Sequence, residues 1–449
     1  MKRFFQILGI IIAIVIAYFI VLQLYPKNAG RFPFLVVLFF GDYYLWRSIR
    51  EWVLRKGKAI VYLLTMLYWL PFGMLIVDTL LTLALHETVW NRPVEIYFYG
   101  FIFVVYVSKL IPILFLLLAD IIRGLRYLLF KMRAKRRENV AVDTSKRITR
   151  SEFLKTTGLV RGGLLFSGLL VGMVKWAFDF KIHRHRVHLP NLPISFDGLR
   201  IVQISDIHLG SWASKQALRE AIHRINELEP DLVFFTGDLV NSKTNEAFAF
   251  EEILAELRAS TAIYATLGNH DYGDYVRWPS KAAKQENMQQ LYDLYKRLGW
   301  ELLNNENRIY DNGDGKLAVI GVENWGDFGR FSKHGDLGKA IIGAEDARVK
   351  LLLSHDPSHW DKVVTERFRD IDLTFAGHTH GFQFGIEIKN IKWSPAQYIY
   401  KHWAGMYEMF SPESQLQRLY VNRGLGNIGY PGRVGILPEI TLMELMKGS

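Results

Sequence analysis

Leu199-Arg-Ile-Val-Gln-Ile-Ser-Asp206-Ile-His208 joins a short apolar run to two polar side chains. Branched apolar residues dominate the run from Leu199 to Ser205, which predicts a buried β-strand. Asp206 and His208 follow where that strand ends. In an open sheet of parallel strands, ligand sites lie beyond the carboxyl ends of the strands. The stretch therefore predicts an α/β fold in which a carboxylate and an imidazole stand at the rim of the sheet.

The same arrangement recurs four more times along the chain. The further apolar runs are Asp231–Thr236, Ile263–Leu267, Lys350–Leu353 and Leu373–Ala376. They lead into Gly237-Asp238, Gly268-Asn269-His270-Asp271, Ser354-His355-Asp356 and Gly377-His378-Thr379-His380-Gly381. Helix-like stretches at Lys215–Leu228 and Ala247–Leu257 predict crossover helices between parallel strands. Leu317–Val322 and Leu419–Asn422 predict further strands, and the later part has few helical signals, which favours a mixed core of two sheets.

The five polar clusters offer carboxylate, amide and imidazole groups, which are all metal ligands. Cysteine is absent, so a structural zinc site made of thiolates is excluded. Oxygen and nitrogen ligands in this number suit two divalent ions, and Mn, Fe and Zn all accept such a mixed set. One cluster alone is compatible with an ordinary loop. Five clusters at strand ends indicate a two-metal hydrolase.

The first part of the chain has the composition of a membrane domain. Half of the 449 residues are hydrophobic, and the apolar excess lies almost entirely before residue 120. Phe4–Leu24, Ala59–Leu85 and Val94–Ala119 are long enough to cross about 30 Å of hydrocarbon, and Pro33–Ile49, which is shorter and contains Asp42, is the weakest of four candidate spans. We expect residues 1–119 to form about four transmembrane helices. Asp42 and Asp78 within them mark either a proton or substrate path or positions near an interface.

The positive charge follows the predicted membrane segments. The net charge is +11, and Arg123 to Arg150 contains ten Lys or Arg residues but only two acids. Basic residues beside membrane spans are typical of the cytoplasmic side. We therefore expect residues 120–152 to be a basic cytoplasmic linker, and we expect the chain to bind a lipid bilayer and no nucleic acid.

Residues 153–180 predict either an interfacial helix or a fifth transmembrane helix. The apolar run Gly162–Val174 would span only about 20 Å as a helix. This length slightly favours a helix that does not cross, which would leave the following domain in the cytoplasm. A crossing helix would place that domain outside. Thr149-Arg-Ser151-Glu-Phe-Leu-Lys155 resembles the twin-arginine export motif but has Ser151 in place of the second arginine.

Three other patterns have simpler interpretations than a ligand site. His183-Arg-His185-Arg-Val-His188 lacks a nearby carboxylate and predicts a basic edge strand. The glycines from Gly424 to Gly429 match a dinucleotide pattern, but Tyr430-Pro431-Gly432 follows where a helix should begin. The aromatic residues of Tyr272–Trp278 are candidates to line the site, because they follow His270 directly.

The order of the five clusters, matched across residues 199–445, resembles that of the calcineurin-like metallophosphoesterases. The segments from Leu192 to Gly198 and from His208 to Ser211, with Arg423-Gly424-Leu-Gly426 and Pro438-Glu439-Ile440, resemble the membrane-associated bacterial branch of that family. The resemblance implies an α/β fold with N-terminal transmembrane helices followed by a calcineurin-like two-sheet α/β/β/α sandwich. Residues 181–449 would form the metallophosphoesterase domain.

The resemblance also implies a role for each residue at the rim. One metal would be held by Asp206, His208, Asp238 and His380. The other would be held by Asp238, Asn269, His355 and His378, with Asp238 bridging the pair. His270 would act as an acid or hydrogen-bond donor to the reacting phosphoryl group, and Asp271 would orient His270.

A membrane-tethered phosphodiesterase or pyrophosphatase with an amphiphilic or nucleotide-linked phosphoester substrate is the function that this resemblance implies. Hydrolysis of UDP-2,3-diacylglucosamine in lipid A synthesis is the named candidate within the group, and it requires a cytoplasmic active site. A general phosphoesterase of the cell envelope and a membrane sensor whose phosphoesterase domain only binds a ligand are the alternatives. The oligomeric state stays open.

Overall fold

The computed structural model describes residues 2–26, 29–85, 90–134, 150–329, 331, 333–389, 391–410 and 415–448. The chain divides into two compact units, Met1–Leu170 and Val171–Ser449. The division falls inside the segment 153–180, ten residues before the domain boundary that the sequence predicts. Thr149 of the export-like motif and residues 135–149 of the predicted linker lie outside the described residues.

The first unit is helical. Its helices are α1 (Lys2–Leu24), α2 (Arg31–Leu54), α3 (Lys58–Leu85), α4 (Arg92–Ala134) and α5 (Arg150–Val174), the last of which ends in the second unit. Each of the four predicted membrane segments lies in one of the first four helices. Within the described residues, three stretches are long and apolar enough to cross a membrane: Lys58–Leu85, Arg92–Leu129 and Glu152–Phe178. Helix α4 continues beyond the predicted span into the region taken as linker.

The fifth segment is longer than the apolar run Gly162–Val174 from which the sequence favours a helix that does not cross. Helix α5 begins at Arg150, and the apolar stretch Glu152–Phe178 has 27 residues. At 1.5 Å per residue this length is ample for the hydrocarbon core. The helix is longer than the apolar run because Phe153, Leu154, Leu159 and Val160, which precede Gly162, belong to the same helix.

Helix α5 packs closely and in the antiparallel sense against α4. A Cβ at Gly158 would meet Phe115 and Pro112, whereas a Cβ at Gly162 would meet Pro112 and the Ser108 carbonyl. Residue numbers therefore increase along α5 as they decrease along the facing part of α4. Small residues four apart let two membrane helices approach in this way. The contact lies in the middle of the apolar stretch of α4.

Asp42 and Asp78 of the predicted membrane segments are both paired. Asp42 is buried, lies 2.6 Å from the Lys109 ammonium and accepts a hydrogen bond from Tyr106. Asp78 accepts hydrogen bonds from Tyr99 and Trp90. Asp42 thus links α2 to α4, and Asp78 links α3 to α4. Pairing of this kind offsets the cost of a charge away from water.

The second unit is an α/β domain. Its strands are β1 (Lys181–Leu189), β2 (Leu199–Ile204), β3 (Leu232–Phe235), β4 (Ala262–Ala265), β5 (Glu301–Leu302), β6 (Glu306–Asp311), β7 (Lys316–Gly321), β8 (Val349–Leu353), β9 (Leu373–Ala376), β10 (Ile386–Ile388), β11 (Ile391–Trp393), β12 (Gly405–Phe410), β13 (Leu416–Val421) and β14 (Glu439–Lys447). Its helices are α6 (Lys215–Asn226), α7 (Asn245–Phe248), α8 (Glu251–Leu254), α9 (Lys281–Leu298), α10 (Leu337–Ala340) and α11 (Thr365–Arg367).

Two six-stranded sheets form the centre of this domain. One has the order β1-β14-β2-β3-β4-β5, and the other has the order β12-β13-β9-β8-β7-β6. Side chains such as Ile201, Phe234 and Phe375 fill the space between the sheets. Val202 and Ile204 face the opposite way and pack beneath α6 and α9, while α10 covers the outer face of the second sheet. The predicted α/β/β/α sandwich is confirmed.

Parallel pairing sets the position of the rim. Strands β2, β3 and β4 pair in parallel, as do β7, β8, β9 and β13. Their carboxyl ends therefore lie at a common edge in each sheet. The basic strand β1 pairs only with β14 at the edge of its sheet, as the His183–His188 pattern predicts.

Candidate metal centre

The predicted ligands form two buried groups. Asp206, His208 and His380 make the first, and Asp238, His355 and His378 make the second; within each group one ligand atom from every residue lies within 4.8 Å of the others. Asn269 joins the second group, since its Oδ1 is 3.2 Å from His355 Nε2. All seven residues therefore meet at the rim, although they come from five separate loops.

The carboxylate of Asp238 lies between the two groups. Its Oδ2 is 3.2 Å from His355 Nε2 and 3.5 Å from His208 Nε2. Asp238 is 1% exposed, and His208 and His355 are fully buried. Buried charges and imidazoles are normally paired or bound to metals. One oxygen facing an imidazole of each group is the position that a bridging ligand requires.

Several nitrogen and oxygen atoms that face inward lie within hydrogen-bonding distance of one another. His208 Nε2 is 3.1 Å from His380 Nε2, and His380 Nε2 is 3.2 Å from Asp206 Oδ1. His378 Nδ1 is 3.2 Å from His355 Nε2. Imidazole and carboxylate atoms that converge in this way form a donor set suited to divalent cations. The residues present fit two such ions.

Second contacts fix how two of the imidazoles point. His355 Nδ1 donates to the Thr236 carbonyl at 2.6 Å, which leaves Nε2 free to face Asp238. His378 Nε2 lies 2.9 Å from the Tyr400 hydroxyl, which leaves Nδ1 facing inward. Such outer partners set the tautomer and the orientation of metal ligands.

Five of the ligands have an unusual backbone conformation. Asp206, His208, Asp238, His378 and His380 all have φ between 50° and 68°. This left-handed region is uncommon for residues other than glycine, and each instance costs of order 1–3 kcal/mol. The left-handed conformation turns the chain sharply at the end of each strand. Ligands that follow different strands can therefore face each other.

Two glycines allow the loops to approach closely. A Cβ at Gly268 would collide with Asp238, and a Cβ at Gly377 would collide with Ser205 and the Asp206 carboxylate. Gly268 precedes Asn269, and Gly377 precedes His378. Gly268 thus places Asn269 beside Asp238, which follows the neighbouring strand β3, and Gly377 places His378 beside Asp206, which follows β2 in the other sheet.

His270 lies beside both groups without belonging to either. Its ring centre is 4.9 Å from that of His208, and it stacks on Tyr275 at 4.2 Å. Its Nδ1 donates to the Asn241 carbonyl at 2.6 Å, and its backbone N–H donates to Asp238 Oδ1. Because Nδ1 is committed, Nε2 is the atom available for proton transfer.

Asp271 does not have the partner that the sequence predicts. We expected it to orient His270, but the contact to the His270 ring comes from Asn241. The Asp271 carboxylate instead accepts hydrogen bonds from four backbone N–H groups, those of Gly268, Asp238, Leu239 and Val240. The correction has a simple cause, since a buried carboxylate satisfies its oxygens with the loop donors that surround it. Asp271 thus holds the loop that carries Asp238.

Asp271→Asn should therefore weaken metal binding and stability more than it alters the chemistry. An asparagine turns one acceptor oxygen into a donor that faces backbone N–H groups, at a cost of roughly 1–3 kcal/mol. We expect a lower thermal midpoint and weaker metal affinity, with kcat largely restored at saturating metal. Asp293→Asn on the exposed face of α9 is the control. A loss of kcat with unchanged metal affinity would contradict this role.

Several residues of the site were not identified from the sequence. Tyr400 holds His378, Asn241 holds His270, and buried Arg433 donates to the carbonyls of Gly424 and Gly426. None carries a sequence signal, because their contacts depend on loops that meet only in the folded domain. Tyr275 lies in the predicted aromatic segment, and its hydroxyl accepts a hydrogen bond from Asn269.

The glycines after β13 support the rim instead of a nucleotide. Leu425 and Gly426 donate their N–H groups to the carbonyls of Ser205 and Asp206. A Cβ at Gly424 would press on Asp206 and His380, and one at Gly426 would collide with Ile207. No helix follows in the described residues up to 448. The helix that the dinucleotide fingerprint requires after these glycines is therefore absent from the described residues.

Electrostatics at the centre favour negative carboxylates and mostly neutral imidazoles. Burial alone would raise the pKa of Asp206 and Asp238, but neighbouring imidazoles outweigh it and hold both pKa values well below the usual range. Burial lowers the pKa of His208 and His378. Burial also opposes charge on His355, but the Asp238 carboxylate outweighs it and raises that pKa to about 10.

Metal binding should consequently release about one proton, from His355, between pH 6.5 and 8.5. The folded pKa lies above the unfolded value, so the His355–Asp238 pair stabilises the metal-free protein fully below about pH 6.5 and progressively less towards pH 10. Calorimetric titration with Mn²⁺ in two buffers of different ionisation enthalpy counts the protons. Equal heats in both buffers would contradict the prediction.

Comparison with known proteins agrees with this geometry. Residues 199–382 match the family model described as calcineurin-like phosphoesterase. Residues 28–176 match the model described as probable calcineurin-like phosphoesterase, transmembrane domain. The two matches fall on the rim-bearing domain and on the helical region.

Three curated relatives illustrate the likeness. A transmembrane protein with metallophosphoesterase domain from Danio rerio is 29% identical over 282 residues, which are 61% of this chain and 59% of that protein. The uncharacterized metallophosphoesterase YkuE from Bacillus subtilis is 29% identical over 307 residues, 67% of this chain and 98% of YkuE. The UDP-2,3-diacylglucosamine pyrophosphatase LpxG from Chlamydia trachomatis is 29% identical over 303 residues, 57% of this chain and 87% of LpxG.

The family models, the two-sheet sandwich and the two groups of His and Asp residues lead to one assignment. The chain carries a calcineurin-like phosphoesterase domain, and a region that matches the transmembrane domain of probable calcineurin-like phosphoesterases precedes it.

Proposed function

We propose that this chain is a membrane-bound phosphodiesterase or pyrophosphatase with two divalent cations and an amphiphilic substrate. The observation that carries the proposal is the position of Asp238 Oδ2 between His355 and His208. Asp206, His208 and His380 would hold one cation, and Asn269, His355 and His378 would hold the other. Asp238 would serve both. Mn, Fe and Zn all suit this ligand set.

Two cations in such a centre supply Lewis-acid activation of water and offset charge on the phosphoryl group. The residues around them do the rest. His270, held at Nδ1 by Asn241, uses Nε2 to protonate the leaving oxygen or to donate a hydrogen bond to the phosphoryl oxygens. Asp271 keeps the Asp238 loop in place. Gly268 and Gly377 keep the ligand loops close together, so that one phosphate could reach both groups of metal ligands.

The membrane domain supports an amphiphilic substrate. Part of the chain matches a transmembrane phosphoesterase domain, and three stretches are long enough to span a membrane. These features anchor the chain that carries the metal centre in the lipid bilayer. A substrate that also resides in the bilayer meets such an enzyme by diffusion in two dimensions. The likeness to LpxG, named for its action on a diacylated sugar nucleotide, points the same way.

The packing of α5 supports an active site outside the cytoplasm. Basic residues put the α2–α3 loop and the region after α4 on the cytoplasmic side. Helix α5 starts from that side, runs antiparallel to α4 in contact with its apolar middle, and is long enough to cross. The phosphoesterase domain then emerges on the outer side. This reverses the slight preference drawn from the sequence and favours a phosphoester of the cell envelope.

A protease accessibility test decides the side. We expect a tobacco etch virus protease site inserted in the exposed β6–β7 turn, at Asn312–Gly313, to be cut when protease is added to intact spheroplasts. The same site at Lys56–Gly57, between α2 and α3, is the matched control and should be cut only after lysis. Protection of both sites would place the phosphoesterase domain in the cytoplasm.

Hydrolysis of UDP-2,3-diacylglucosamine is the second candidate, favoured by the 29% identity to LpxG over 303 residues. Its nucleotide substrate requires a cytoplasmic active site. The protease test therefore separates the two candidates before any substrate is known.

Substrate identity can be tested on the full-length protein in detergent with added Mn²⁺. The panel contains phospholipid and lipid-linked phosphodiesters, UDP-2,3-diacylglucosamine and aryl phosphodiesters, with Asp238→Asn as the inactive control. We expect turnover of at least one amphiphilic phosphoester in excess of that variant. A metal-loaded protein that turns over none of them would favour the sensor interpretation.

A further inference from the structure

A small hairpin beside the metal centre has an exposed apolar face. Strands β10 and β11 follow the His380 loop and form a two-stranded sheet of their own. Their register pairs Ile386 with Trp393 and Ile388 with Ile391. Opposed residues of an antiparallel pair point to the same face. These four side chains, the apolar hairpin face, therefore lie together.

The other face of the hairpin is tied to the domain. Glu387 pairs with the Arg423 guanidinium at 2.5 and 3.0 Å, and Arg423 also bonds to buried Glu439. Lys392 donates to the Ala404 carbonyl and lies over the Trp403 ring. Polar contacts thus fix the inner face, and the hairpin presents the outer face in one orientation.

Three of the four side chains of the apolar hairpin face are exposed in the part of the chain that the structure describes. Ile386, Ile388 and Ile391 are 46%, 64% and 63% exposed. Clustered exposed apolar side chains of this kind mark an interaction surface. A stable dimer buries roughly 800 Å² per partner, which is far more than six hairpin residues offer. The small area argues against a second copy as the occupant.

We propose that the apolar hairpin face contacts the lipid bilayer and holds the metal centre at the headgroup level. Trp393 and Tyr398, which are within hydrogen-bonding distance, are the amphipathic aromatic residues that favour membrane interfaces. Lys389 at the hairpin turn adds a positive charge that suits anionic lipids. The proposal deepens the function above, since a bilayer contact would present a membrane-dissolved phosphoester to the centre.

The hairpin lies directly beside that centre. It begins six residues after His380, and the Ser394 hydroxyl, just after β11, donates to the Gly381 carbonyl. Tyr400, a few residues further along, contacts His378. Because these contacts fix the apolar hairpin face relative to the rim, a bilayer bound to that face would set the distance between the rim and the membrane.

The chain has no cysteine, so a single nitroxide label can report the contact in the full-length protein. Ile388→Cys and Ile391→Cys are labelled and reconstituted into vesicles of phosphatidylethanolamine with a minority of phosphatidylglycerol. Ile342→Cys is the matched control, because Ile342 is 67% exposed elsewhere in the same domain. Collision with oxygen and with a nickel chelate gives the depth of each label. Thermal midpoints check that each variant is folded.

We expect the labels at 388 and 391 to lie about 5–10 Å below the phosphate level and the label at 342 to be in water. Water-like accessibility at 388 and 391 would overturn the proposal. Dipolar broadening between labels would overturn it in favour of a second copy, and immersion that appears only with an added amphiphilic phosphodiester would overturn it in favour of a substrate-chain site. The depth measurement does not depend on turnover. The bilayer contact can therefore be disproved while the proposed phosphoesterase function stands, and the function can be disproved while the bilayer contact stands.

Discussion

Asp238→Asn should abolish phosphoesterase activity and lower the metal content at both positions. One oxygen of Asp238 faces an imidazole of each group, so the substitution removes the single negative charge shared by both. Asparagine keeps the size of the side chain, and Asp238 N–H still donates to Asp271. The fold should therefore persist while metal affinity falls. Elemental analysis of the purified protein, with activity on the same sample, measures both effects.

Asp274→Asn is the matched control for this substitution. Asp274 is an exposed partner of Lys284 in the same domain, and its loss should change neither metal content nor turnover. Two bound metals and near-normal turnover in Asp238→Asn would rule out the bridging role. Loss of one metal alone would show that Asp238 serves a single group.

His270→Ala should have the opposite signature, with metal content kept and kcat reduced on the order of 10²-fold or more. The side chain belongs to neither group of ligands. Its contact to Asp238 is through the backbone N–H, which alanine retains. The proton donor held by Asn241 is lost, together with the stacking on Tyr275. Metal analysis and steady-state kinetics on the same preparation separate the two effects.

The leaving group refines this test. If His270 protonates the leaving oxygen, the defect should shrink with an aryl phosphodiester whose leaving group is already acidic. An equal defect for all leaving groups would instead assign His270 to stabilising the phosphoryl oxygens. His223→Ala, which removes an exposed imidazole on α6, should leave every parameter unchanged. Metal loss that accounts for the whole His270→Ala defect would make His270 a ligand.

The strands of the core could be predicted because their apolar runs carry their own signal. Leu373–Ala376 is observed as predicted, and Leu199–Ser205 ends one residue early. The predicted helix Ala247–Leu257 is instead two short helices, α7 and α8, which no local pattern separates. Strands β5, β6, β10, β11, β12 and β14 have no counterpart among the predicted strands. The first five are incompletely buried and depend on neighbours distant in sequence, whereas β14 is a mostly buried strand that the sequence analysis did not identify.

The ligands could be predicted as a set, because residues at the ends of parallel strands converge whatever the loop details. Their partners could not. Asp271 follows His270 in sequence, yet the fold directs its carboxylate to backbone donors while the Asn241 carbonyl takes the imidazole. Adjacency in sequence indicated the wrong partner, because the direction of each side chain is set by the loop as a whole.

The position of β14 inside the first sheet determines when this sheet can finish folding during synthesis. Residues 439–447 form the strand between β1 and β2, in parallel register with residues 181–189. At ribosomal rates of about 5–20 residues per second, β1 waits on the order of ten to fifty seconds for this partner. During that interval the sheet lacks an inner strand, and the segment can still be threaded across a membrane as an unfolded chain. A stop codon anywhere before residue 439 would leave β1 without its partner and β2 as a bare edge, so the whole domain depends on its final strand.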